Sequence, residues 1–463
     1  MKVLENLINY IDERTGLKEP FLRAILHPVP KGSTWLYVFG SAIMTCFIIQ
    51  VVSGMALGTI YSSSAGDAYE SVKYISSVAP FGSLLRGIHY FGASAMIVFT
   101  GMHMLRIYLM GSFKYPRELS WLTGVGLLFL TVGMGFTGQI LRWDQNSVWT
   151  VAVGANQAMR APFIGKYLVE ILNAGPEVGA QTLSHIFSYH VFLLPGILIG
   201  AIVIHIWMVL FNGISEPPKV GELVDPATYK KKYHDLLERD GQPFWPVSVS
   251  RDIIFSTIVV LGILALAHFV GPPAVDIPPD PSIIQAQPKP DWYLLWYFSL
   301  LAIMPKQLED VSILLCPVIA VLVLLAPAIL APRGERSPSR RPWAVATVFM
   351  VVSFIGILTY LGVKEPWSPN FDAKAVPIEV IGAKSGPVYD GAQVFNTKGC
   401  LFCHTISHYG GTKGPDLTHV GSRLTHDQVT IRVINGGNNM PAYAGNITPE
   451  QLKSVTTFLE SRK

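Results

Sequence analysis

Seven long apolar runs dominate this sequence, and each is long enough to cross a lipid bilayer as a helix. The bilayer core requires about 20 mostly apolar residues per helix. The runs cover residues 33–60, 84–109, 121–141, 186–211, 252–270, 311–331 and 343–362. Half of the residues are hydrophobic and only 14% are charged, whereas soluble proteins carry about 25% charged residues. The sequence therefore predicts an all-α, multi-pass transmembrane bundle of seven spans.

The loops between the runs predict how the chain is oriented in the membrane. Basic residues are concentrated in alternate loops, which are expected to face the cytoplasm: Lys114, Arg117, Lys230, Lys231, Lys232, Arg239, Arg251, Arg333, Arg336, Arg340 and Arg341. The N-terminus lies on the same side, and residues 1–31 lack the apolar core of a cleavable signal peptide. An odd number of spans then places everything after residue 363 on the outer face. A shorter run, 292–304, is too short to cross and is expected to lie at the membrane interface or to re-enter.

The tail after the last span differs in composition. Three prolines indicate that residues 364–384 form an extended linker, and the hydropathy beyond it is that of a soluble domain. The net charge of +4 is small and dispersed, so nucleic acid is not expected as a partner. We expect a membrane part followed by one small soluble domain.

Four histidines lie inside the predicted spans. His89 and His103 are fourteen residues apart in the second span, and His190 and His205 are fifteen apart in the fourth. In a helix these steps place each pair near one face, offset by about −40° and +60° and separated by about 21 to 22 Å along the axis. Two such helices side by side present two histidine pairs at two depths. This arrangement suits two haems, each ligated by imidazole from both sides.

An alternative is that these histidines are polar core residues that make interhelical hydrogen bonds, which is the better explanation for a lone membrane histidine. Ionisable groups within spans are rare and usually functional, and matched spacings on two helices favour haem. Because the second and fourth spans both run inward, His89 and His190 are expected to hold the outer haem, and His103 and His205 the inner one.

Glycines and one arginine support these sites. Gly40 and Gly54 on the first span, and Gly124 and Gly138 on the third, repeat the fourteen-residue step and would let a flat ring approach closely. Ordinary helix packing explains any single glycine equally well. Arg86 is placed to pair with a haem propionate near the outer interface, although snorkelling to the interface accounts for it equally well.

The tail carries its own motif. Cys400, Cys403 and His404 form a CxxCH, the attachment sequence for c-type haem, in which both thiols bind the ring covalently and the histidine ligates the iron. A zinc site is the alternative, since His408 and His419 follow, but zinc usually takes four ligands at characteristic spacings.

These features resemble the cytochrome b of bc-type complexes, and more closely the cytochrome b6 plus subunit IV form. The likeness covers about residues 10–362 and rests on LLRGIHYFGAS around His89, FKYPRELSWLTGV after the second span, GQILRWDQ closing the third, and the step from His190 to His205. It implies a four-helix haem-binding core, a three-helix quinol-pocket part and a small α-helical cytochrome c domain. The expected boundaries are 1–215, 216–363, 364–384 for the linker and 385–463.

The resemblance also implies a quinol-oxidising pocket. A Pro-Glu-Trp-Tyr segment lines that pocket in the family, and Pro290, Asp291, Trp292 and Tyr293 correspond to it here. Quinol oxidation releases two protons, so a carboxylate within hydrogen-bond reach is a suitable acceptor, and Asp291 is the candidate. Aspartate in place of glutamate is associated with menaquinone in the family. A turn followed by an interfacial aromatic anchor is the alternative interpretation.

Three departures limit the comparison. Cytochrome b6 binds a third, inner-side haem through a cysteine where this chain has Val38, and a basic residue of that family is replaced by Leu210. A third haem is therefore not expected. The family's arginine five residues before the third haem-ligating histidine is replaced by His185.

In the tail, Gly414 to Leu417 and Asn439 to Pro441 resemble class I cytochromes c, where a methionine before a proline is the sixth iron ligand. Met440 is the expected ligand, and a His/Met pair raises the reduction potential.

Together the resemblances imply the cytochrome b/c subunit of a proton-translocating, quinol-oxidising bc complex in a bacterial cytoplasmic membrane. One electron would pass to a separate Rieske iron-sulfur protein and on to haem c and its soluble or membrane acceptor; the other would cross the two b haems to a quinone inside. The family also implies a homodimer. The alternatives are a haem-bearing membrane anchor that relays electrons between quinone and a dehydrogenase, and a redox sensor or haem-storage subunit.

Overall fold

The computed structural model describes residues 2–16, 18–175, 177–280, 288–365, 367–436 and 440–463, and most of them are helical. The chain divides into two compact units, Met1–Val363 and Lys364–Lys463. Asn439, which was part of the predicted methionine motif, lies outside the described residues.

The first half of the large unit is a series of helices joined by short loops. They are α1 Lys2–Thr15, α2 Lys18–Leu26, α3 Phe39–Gly58, α4 Ala68–Ser77, α5 Gly82–Leu109, α6 Glu118–Ile140, α7 Gln145–Met159, α8 Gly165–Asn173, α9 Ala180–Ser188 and α10 Leu194–Asn212. A π-helical turn, Tyr189–Leu193, joins α9 to α10 into one continuous span.

The second half of this unit contributes fewer helices. They are α11 Tyr229–Asp240, α12 Val249–Phe269, α13 Leu295–Ile303, α14 Lys306–Leu330 and α15 Pro342–Lys364. A 3₁₀ turn, Trp292–Leu294, precedes α13, and another, Trp35–Tyr37, precedes α3. Short antiparallel strand pairs join β1 Pro28–Pro30 to β3 Gly241–Pro243, and β2 Leu223–Val224 to β4 Gly334–Glu335.

The predicted seven spans are confirmed. Seven helical segments of the described chain are long and apolar enough to cross a membrane: α3, α5, α6, α9 with α10, α12, α14 and α15. Helices suit these runs because every backbone polar group is satisfied within the segment, where lipid offers no partner. The run beginning at Trp292 is a short apolar helix, as its length predicted.

The centre of the bundle is packed with small and branched residues. Ala42 and Cys46 of α3, Met96 of α5 and Leu198 of α10 form one buried cluster with residues of α12. Small side chains on α3 let α5 approach closely. This close contact places the glycines of α3 beside the histidines of α5.

Several basic loop residues that predicted the orientation also hold the loops together. Arg117 is 7% exposed and donates from Nε to the carbonyl of Gly213 at the end of α10. Arg336, 4% exposed, pairs with Glu216. Lys114 donates to the carbonyl of Ala331 after α14. Arg117 and Lys114 thus cap the carbonyl ends of helices, where positive charge is favoured.

The small unit is built on its own core. Its elements are α16 Ile378–Ile381, α17 Pro387–Thr397, α18 Cys400–Cys403, β5 Thr405–Ile406, β6 Tyr409–Gly410, α19 His426–Asn435 and α20 Pro449–Glu460. Helix α17 packs on α20 through Phe395 and Phe458, whose ring centroids are 5.8 Å apart. Val376 and Ile381, from the stretch predicted as a linker, belong to this core.

Candidate functional site

Each of the four membrane histidines lies against one of the four glycines singled out from the sequence. The closeness of each contact is given by the distance that an added methyl group on the glycine would have from Cε1 of the histidine. These distances are 2.9 Å for Gly138 and His190, 3.2 Å for Gly54 and His89, 3.6 Å for Gly124 and His205, and 3.7 Å for Gly40 and His103. The missing side chains therefore make room for the imidazole rings themselves.

His89 and His190 face one another across the bundle. Their ring centroids are 6.3 Å apart and the ring planes are inclined by 72°. A metal ion with an imidazole nitrogen about 2 Å away on each side separates the two centroids by about 6 Å. The spacing thus fits one iron ion ligated from both sides.

A hydroxyl next to a glycine fixes the ring orientation at three of the four histidines. Ser53, Thr123 and Thr137 each place a hydroxyl oxygen 2.9 Å from an Nδ1 atom, at His89, His205 and His190 respectively. Each hydroxyl donates its own proton to a backbone carbonyl in the preceding turn of its helix. The hydroxyl must therefore accept from Nδ1–H, which leaves the Nε2 lone pair available to a metal ion.

The fourth histidine differs. Phe39 precedes Gly40, so no hydroxyl stands at the position that Ser53 occupies one fourteen-residue step later. His103 consequently has no side-chain hydroxyl partner of this kind among the described residues.

The fifteen-residue step between His190 and His205 has a local cause. His190 lies in the π-helical turn Tyr189–Leu193, and a π turn accommodates one more residue than an α turn. The π turn accommodates the extra residue, so His190 and His205 lie on the helix much as two histidines fourteen residues apart in a regular α-helix would. Helix α5 reaches the same arrangement between His89 and His103 without a bulge.

A cavity of about 570 Å³ lies around His103 and His205, and Gly40 and Gly124 line it. Val38 and Leu210, the two departures from the cytochrome b6 pattern, also line this cavity. Apolar walls with two convergent imidazoles are a suitable pocket for a haem.

Arg106 closes one side of that cavity. Its guanidinium carbon lies 3.6 Å from the ring centroid of Tyr37, and its Nε and Nη2 are buried without a hydrogen-bond partner among the described residues. Buried donors of this kind normally have an acceptor, and a haem propionate would supply one. Sequence analysis missed Arg106, although its position three residues after His103 was a usable signal.

The far end of the cavity is polar, which sequence analysis also missed. Arg251 and Asp252, at the start of α12, line it together with His27 and Ser248. A charged pair at the start of an apolar span is the signal that could have identified them, since such groups in membranes usually have a function.

The predicted pocket segment is held by the end of α6. The Gln139 side chain accepts from the backbone N–H of Asp291 at 3.0 Å and donates to the carbonyl of Lys289 at 3.2 Å. Pro290 lies between these two anchored residues. Gln139 is 4% exposed, so the segment is fixed from inside the bundle.

Asp291 and Tyr293, two side chains of the predicted quinol pocket, are partly buried. Burial raises the pKa of Asp291, the positive charge of Arg142 opposes that shift, and the negative charge of Asp144 adds to it. Burial and the nearby Asp291 raise the pKa of the Tyr293 hydroxyl. That hydroxyl lies over Gly135, where a methyl group would approach it to 2.7 Å.

Hydrogen bonds hold three other residues singled out from the sequence: Trp292, Arg86 and His185. Trp292 is 38% exposed and donates weakly to the Ser94 hydroxyl at 3.4 Å. Arg86 donates from Nη1 to Ser76 Oγ at 2.9 Å and from Nη2 to the carbonyl of Pro273 at 2.7 Å. His185 donates from Nε2 to the carbonyl of Ile171 at 3.0 Å.

In the small unit, Cys400 and Cys403 lie on the single turn of α18, directly before His404. The His404 ring donates from Nδ1 to the carbonyl of Pro415 at 2.8 Å, and Gly414 lies against that ring. Nε2 is again the nitrogen left for a metal ion. Met440 is half-buried and its carbonyl lies close to Gly436.

The zinc alternative gains no support from the residues around the cysteines. His419 donates from Nδ1 to the carbonyl of Lys463. Within the described ranges, the one cluster of three side chains close enough to share an ion is on α11: His234, Asp235 and Glu238.

Protein-family models match three parts of the chain. The model described as Cytochrome b/b6/petB matches residues 25–213, and that described as Cytochrome b(C-terminal)/b6/petD matches residues 278–376. The model described as Cytochrome C oxidase, cbb3-type, subunit III matches residues 386–459.

Individual proteins agree with these matches. A cytochrome bc complex cytochrome b subunit of Chlorobaculum thiosulfatiphilum is 33% identical over 76% of this chain and 79% of its own length. A menaquinol:cytochrome c reductase cytochrome b subunit of Bacillus subtilis is 37% identical over 46% of this chain and 100% of its own. A solved structure of a hyperthermophilic respiratory complex III superposes with a TM-score of 0.64 at 28% identity, covering 77% of this chain and 91% of that one.

Proposed function

Because this chain belongs to the cytochrome b subunits of bc-type complexes and adds a cytochrome c domain to them, we propose that it oxidises quinol at the outer membrane face and couples this reaction to proton translocation. Its family makes it a multi-pass, haem-binding membrane protein within a quinol oxidoreductase complex. We also propose the number of haems, their ligands and the reaction steps.

The histidines determine where haem would be held. His89 with His190, and His103 with His205, would ligate two b-type haems, while Cys400, Cys403, His404 and Met440 would hold one c-type haem. When bound, these groups would carry single electrons across the membrane and out to an acceptor. Val38, which offers no thiol, supports two b haems rather than three.

The observation that carries this proposal is the pairing of His89 and His190. Their 6.3 Å centroid spacing is that of two imidazoles on one metal ion. Each ring already joins a neighbouring helix through its Nδ1 contact, so an interhelical hydrogen bond alone leaves the facing of the two rings unexplained.

Asp291 would accept a proton from the bound quinol. Its raised pKa brings the carboxylate closer to the pH at which a general base is most effective, and the Gln139 contact fixes its position. Tyr293 would line the same pocket with a hydroxyl that is buried and without a hydrogen-bond partner among the described residues. The menaquinol named for the Bacillus subtilis relative, together with aspartate at this position, supports menaquinol as the substrate.

On the opposite face, Asp252 and Arg251 would bind the quinone that is reduced. They line the same cavity as His103 and His205, so a quinone there would be close to the inner haem. A carboxylate and a guanidinium can supply a proton and stabilise negative charge on a quinone oxygen.

The proposal requires partners. A Rieske iron-sulfur protein would take the first electron from quinol, and a soluble or membrane-bound acceptor would receive it from the c-type domain. We propose a homodimeric complex in a bacterial cytoplasmic membrane, with the N-terminus cytoplasmic and the cytochrome c domain outside. The alternate placement of basic loops supports this orientation.

A redox titration of the visible spectrum, combined with pyridine haemochrome quantification, tests the proposal on the purified membrane complex. We expect two b-type haems with separate midpoint potentials and one c-type haem per chain. Fewer than two b haems would refute the histidine assignment, and absence of covalent haem would refute the CxxCH assignment. Reduction of haem b by quinol that is unaffected by Asp291→Ala would favour the membrane-anchor alternative.

A further inference from the structure

A partly buried arginine with two unpartnered donor atoms lies just beyond the end of α6. Arg142 follows Ile140, the last residue of α6, by two positions, and its side chain is 18% exposed. Its Nε and Nη2 are buried and have no hydrogen-bond partner among the described residues. A buried donor left unpaired costs about 1 to 3 kcal/mol, so a well-packed site is expected to supply an acceptor.

The nearest carboxylate does not fill that role. Asp144 is fully buried, and its Oδ2 is 3.7 Å from Nε of Arg142, beyond hydrogen-bond distance. Its Oδ1 accepts from the backbone N–H of Ser147 and its Oδ2 from that of Asp276. Asp144 therefore caps α7 and anchors the loop at Asp276. Nε and Nη2 of Arg142 remain without an acceptor among the described residues.

The second nearby carboxylate is Asp291, and it does not reach Arg142 either. The two charges interact at longer range, but no ion pair within 4.0 Å joins these two described residues. Neither carboxylate therefore satisfies Nε and Nη2 of Arg142 within the described part of the chain.

The position of Arg142 points to a group held at the His89–His190 pair. Arg142 lies just beyond the end of α6, four residues after Gly138, which packs against His190. On the neighbouring helix, Arg86 precedes His89 by three residues, and the like charges of Arg86 and Arg142 interact. Both guanidiniums therefore lie on the same side of the His89–His190 pair.

The two arginines are not equivalent. Arg86 uses Nη1 on Ser76 and Nη2 on the carbonyl of Pro273. Arg142 keeps Nε and Nη2, adjacent donors that together match a carboxylate. The family's arginine before the third haem-ligating histidine is replaced here by His185, whose ring donates to the Ile171 carbonyl, whereas Nε and Nη2 of Arg142 have no partner among the described residues.

We propose that Arg142 binds a propionate of the haem held by His89 and His190, as a positioning residue that also sets the reduction potential of that haem. This inference rests on the proposed function, which assigns the haem to these two histidines. Arg142 would lie between the propionate and Asp291, and so would hold the haem edge next to the quinol pocket.

The test is a redox titration of both b haems in Arg142→Gln and Arg142→Lys complexes. A cation beside a haem favours the reduced state, so Arg142→Gln should lower the midpoint potential of the His89–His190 haem alone. We expect about a tenfold change in its reduction equilibrium, which is about 59 mV for a one-electron couple. Arg142→Lys should give a smaller shift, because a lysine keeps the charge but not the paired donors.

Arg160→Gln is the matched control. Arg160 is 42% exposed and pairs with Glu309 and Asp310, so its loss should leave both potentials unchanged. Redox-difference infrared spectra with haem ¹³C-labelled at the propionates give a second readout: the propionate band should move in Arg142→Lys and stay in place in Arg160→Gln. This readout remains available if Arg142→Gln fails to accumulate.

Three results would overturn the inference. Unchanged potentials with both b haems retained would mean that Arg142 serves only Asp144. A shift that disappears in an Asp291→Asn background would assign Arg142 to the pocket carboxylate, and an unmoved propionate band would exclude contact with the haem. If the unsubstituted complex lacked two b haems, the proposed function itself would fail, which is a separate outcome.

Discussion

The Thr137 hydroxyl lies 2.9 Å from Nδ1 of His190 and donates its own proton to the carbonyl of Gly133. Since a hydroxyl has a single proton, the bond to His190 must run from Nδ1–H to the threonine oxygen. Such a contact makes the imidazole a more basic ligand, because it draws the Nδ1 proton away from the ring. A more basic ligand stabilises the oxidised iron.

We therefore expect Thr137→Val to raise the midpoint potential of the haem bound by His190 while both b haems are retained. Thr123→Val should act in the same direction on the haem bound by His205. Thr347→Val is the control, since Thr347 lies in another span, α15, and its hydroxyl likewise donates to a carbonyl of the preceding turn, that of Trp343. A redox titration measures all three variants. A shift in Thr347→Val as large as that in Thr137→Val would contradict the ligand-tuning explanation.

The glycine contacts predict a graded response to alanine. A methyl group at Gly138 would come within 2.9 Å of the His190 ring, whereas one at Gly40 would stay 3.7 Å from the ring of His103. Gly138→Ala should displace the histidine and cause loss of one b-type haem. Gly40→Ala should retain both, because 3.7 Å is an ordinary van der Waals contact. Pyridine haemochrome quantification decides between these outcomes, and equal haem loss in both variants would show that the ring spacing is not the cause.

The sequence predicted the seven spans and the pairing of four histidines on neighbouring helices, because both depend on regular patterns. Hydropathy summed over about 20 residues detects a span whatever its partners, and helical periodicity aligns His89 with His103. The π turn at His190 was not predictable, since a single extra residue leaves no compositional signal. The unused donors of Arg142 and Arg106 also escaped prediction, because they depend on which side chains from distant segments surround each guanidinium.

Glu216 is expected to be important for the stability of the loops that face away from the quinol pocket. Its carboxylate pairs with Arg336 and accepts from the Tyr229 hydroxyl at 2.8 Å, and the side chain of Arg336 is only 5% exposed. Glu216→Gln would leave a buried cation without its counter-charge, at a cost of about 3 to 5 kcal/mol. The midpoint temperature for loss of the b-haem spectrum in detergent should fall.

Glu238→Gln on the exposed face of α11 is the control for Glu216→Gln. The Glu238 side chain is 70% exposed and pairs only with His234, and exposed ion pairs contribute about 0 to 1 kcal/mol. Its midpoint temperature should match that of the unsubstituted protein. An unchanged midpoint in Glu216→Gln would mean that the buried pair adds no net stability.

The cytochrome c domain offers a test of Met440 as the sixth iron ligand. Met440→Ala would leave one axial position of the iron open, while His404, fixed by the Pro415 carbonyl, would hold the other. Carbon monoxide should then bind to the reduced c-type haem, which a difference spectrum detects. The unsubstituted protein should show no such binding, and a negative result in the variant would mean that another side chain ligates the iron.

The pH dependence of quinol oxidation tests Asp291 as the proton acceptor. A general base must be ionised to act, so activity should fall on acidification as Asp291 becomes protonated. Because burial raises its pKa above that of an ordinary aspartate, which is about 3.9, this loss should occur at a higher pH than an exposed carboxyl would give. Asp291→Asn should reduce turnover by about 10² to 10⁴-fold and remove the acidic limb, whereas Asp291→Glu should retain both. Asp310→Asn, at a carboxylate whose side chain is 54% exposed, should leave the profile unchanged, and an acidic limb that persists in Asp291→Asn would assign the proton acceptor to another group.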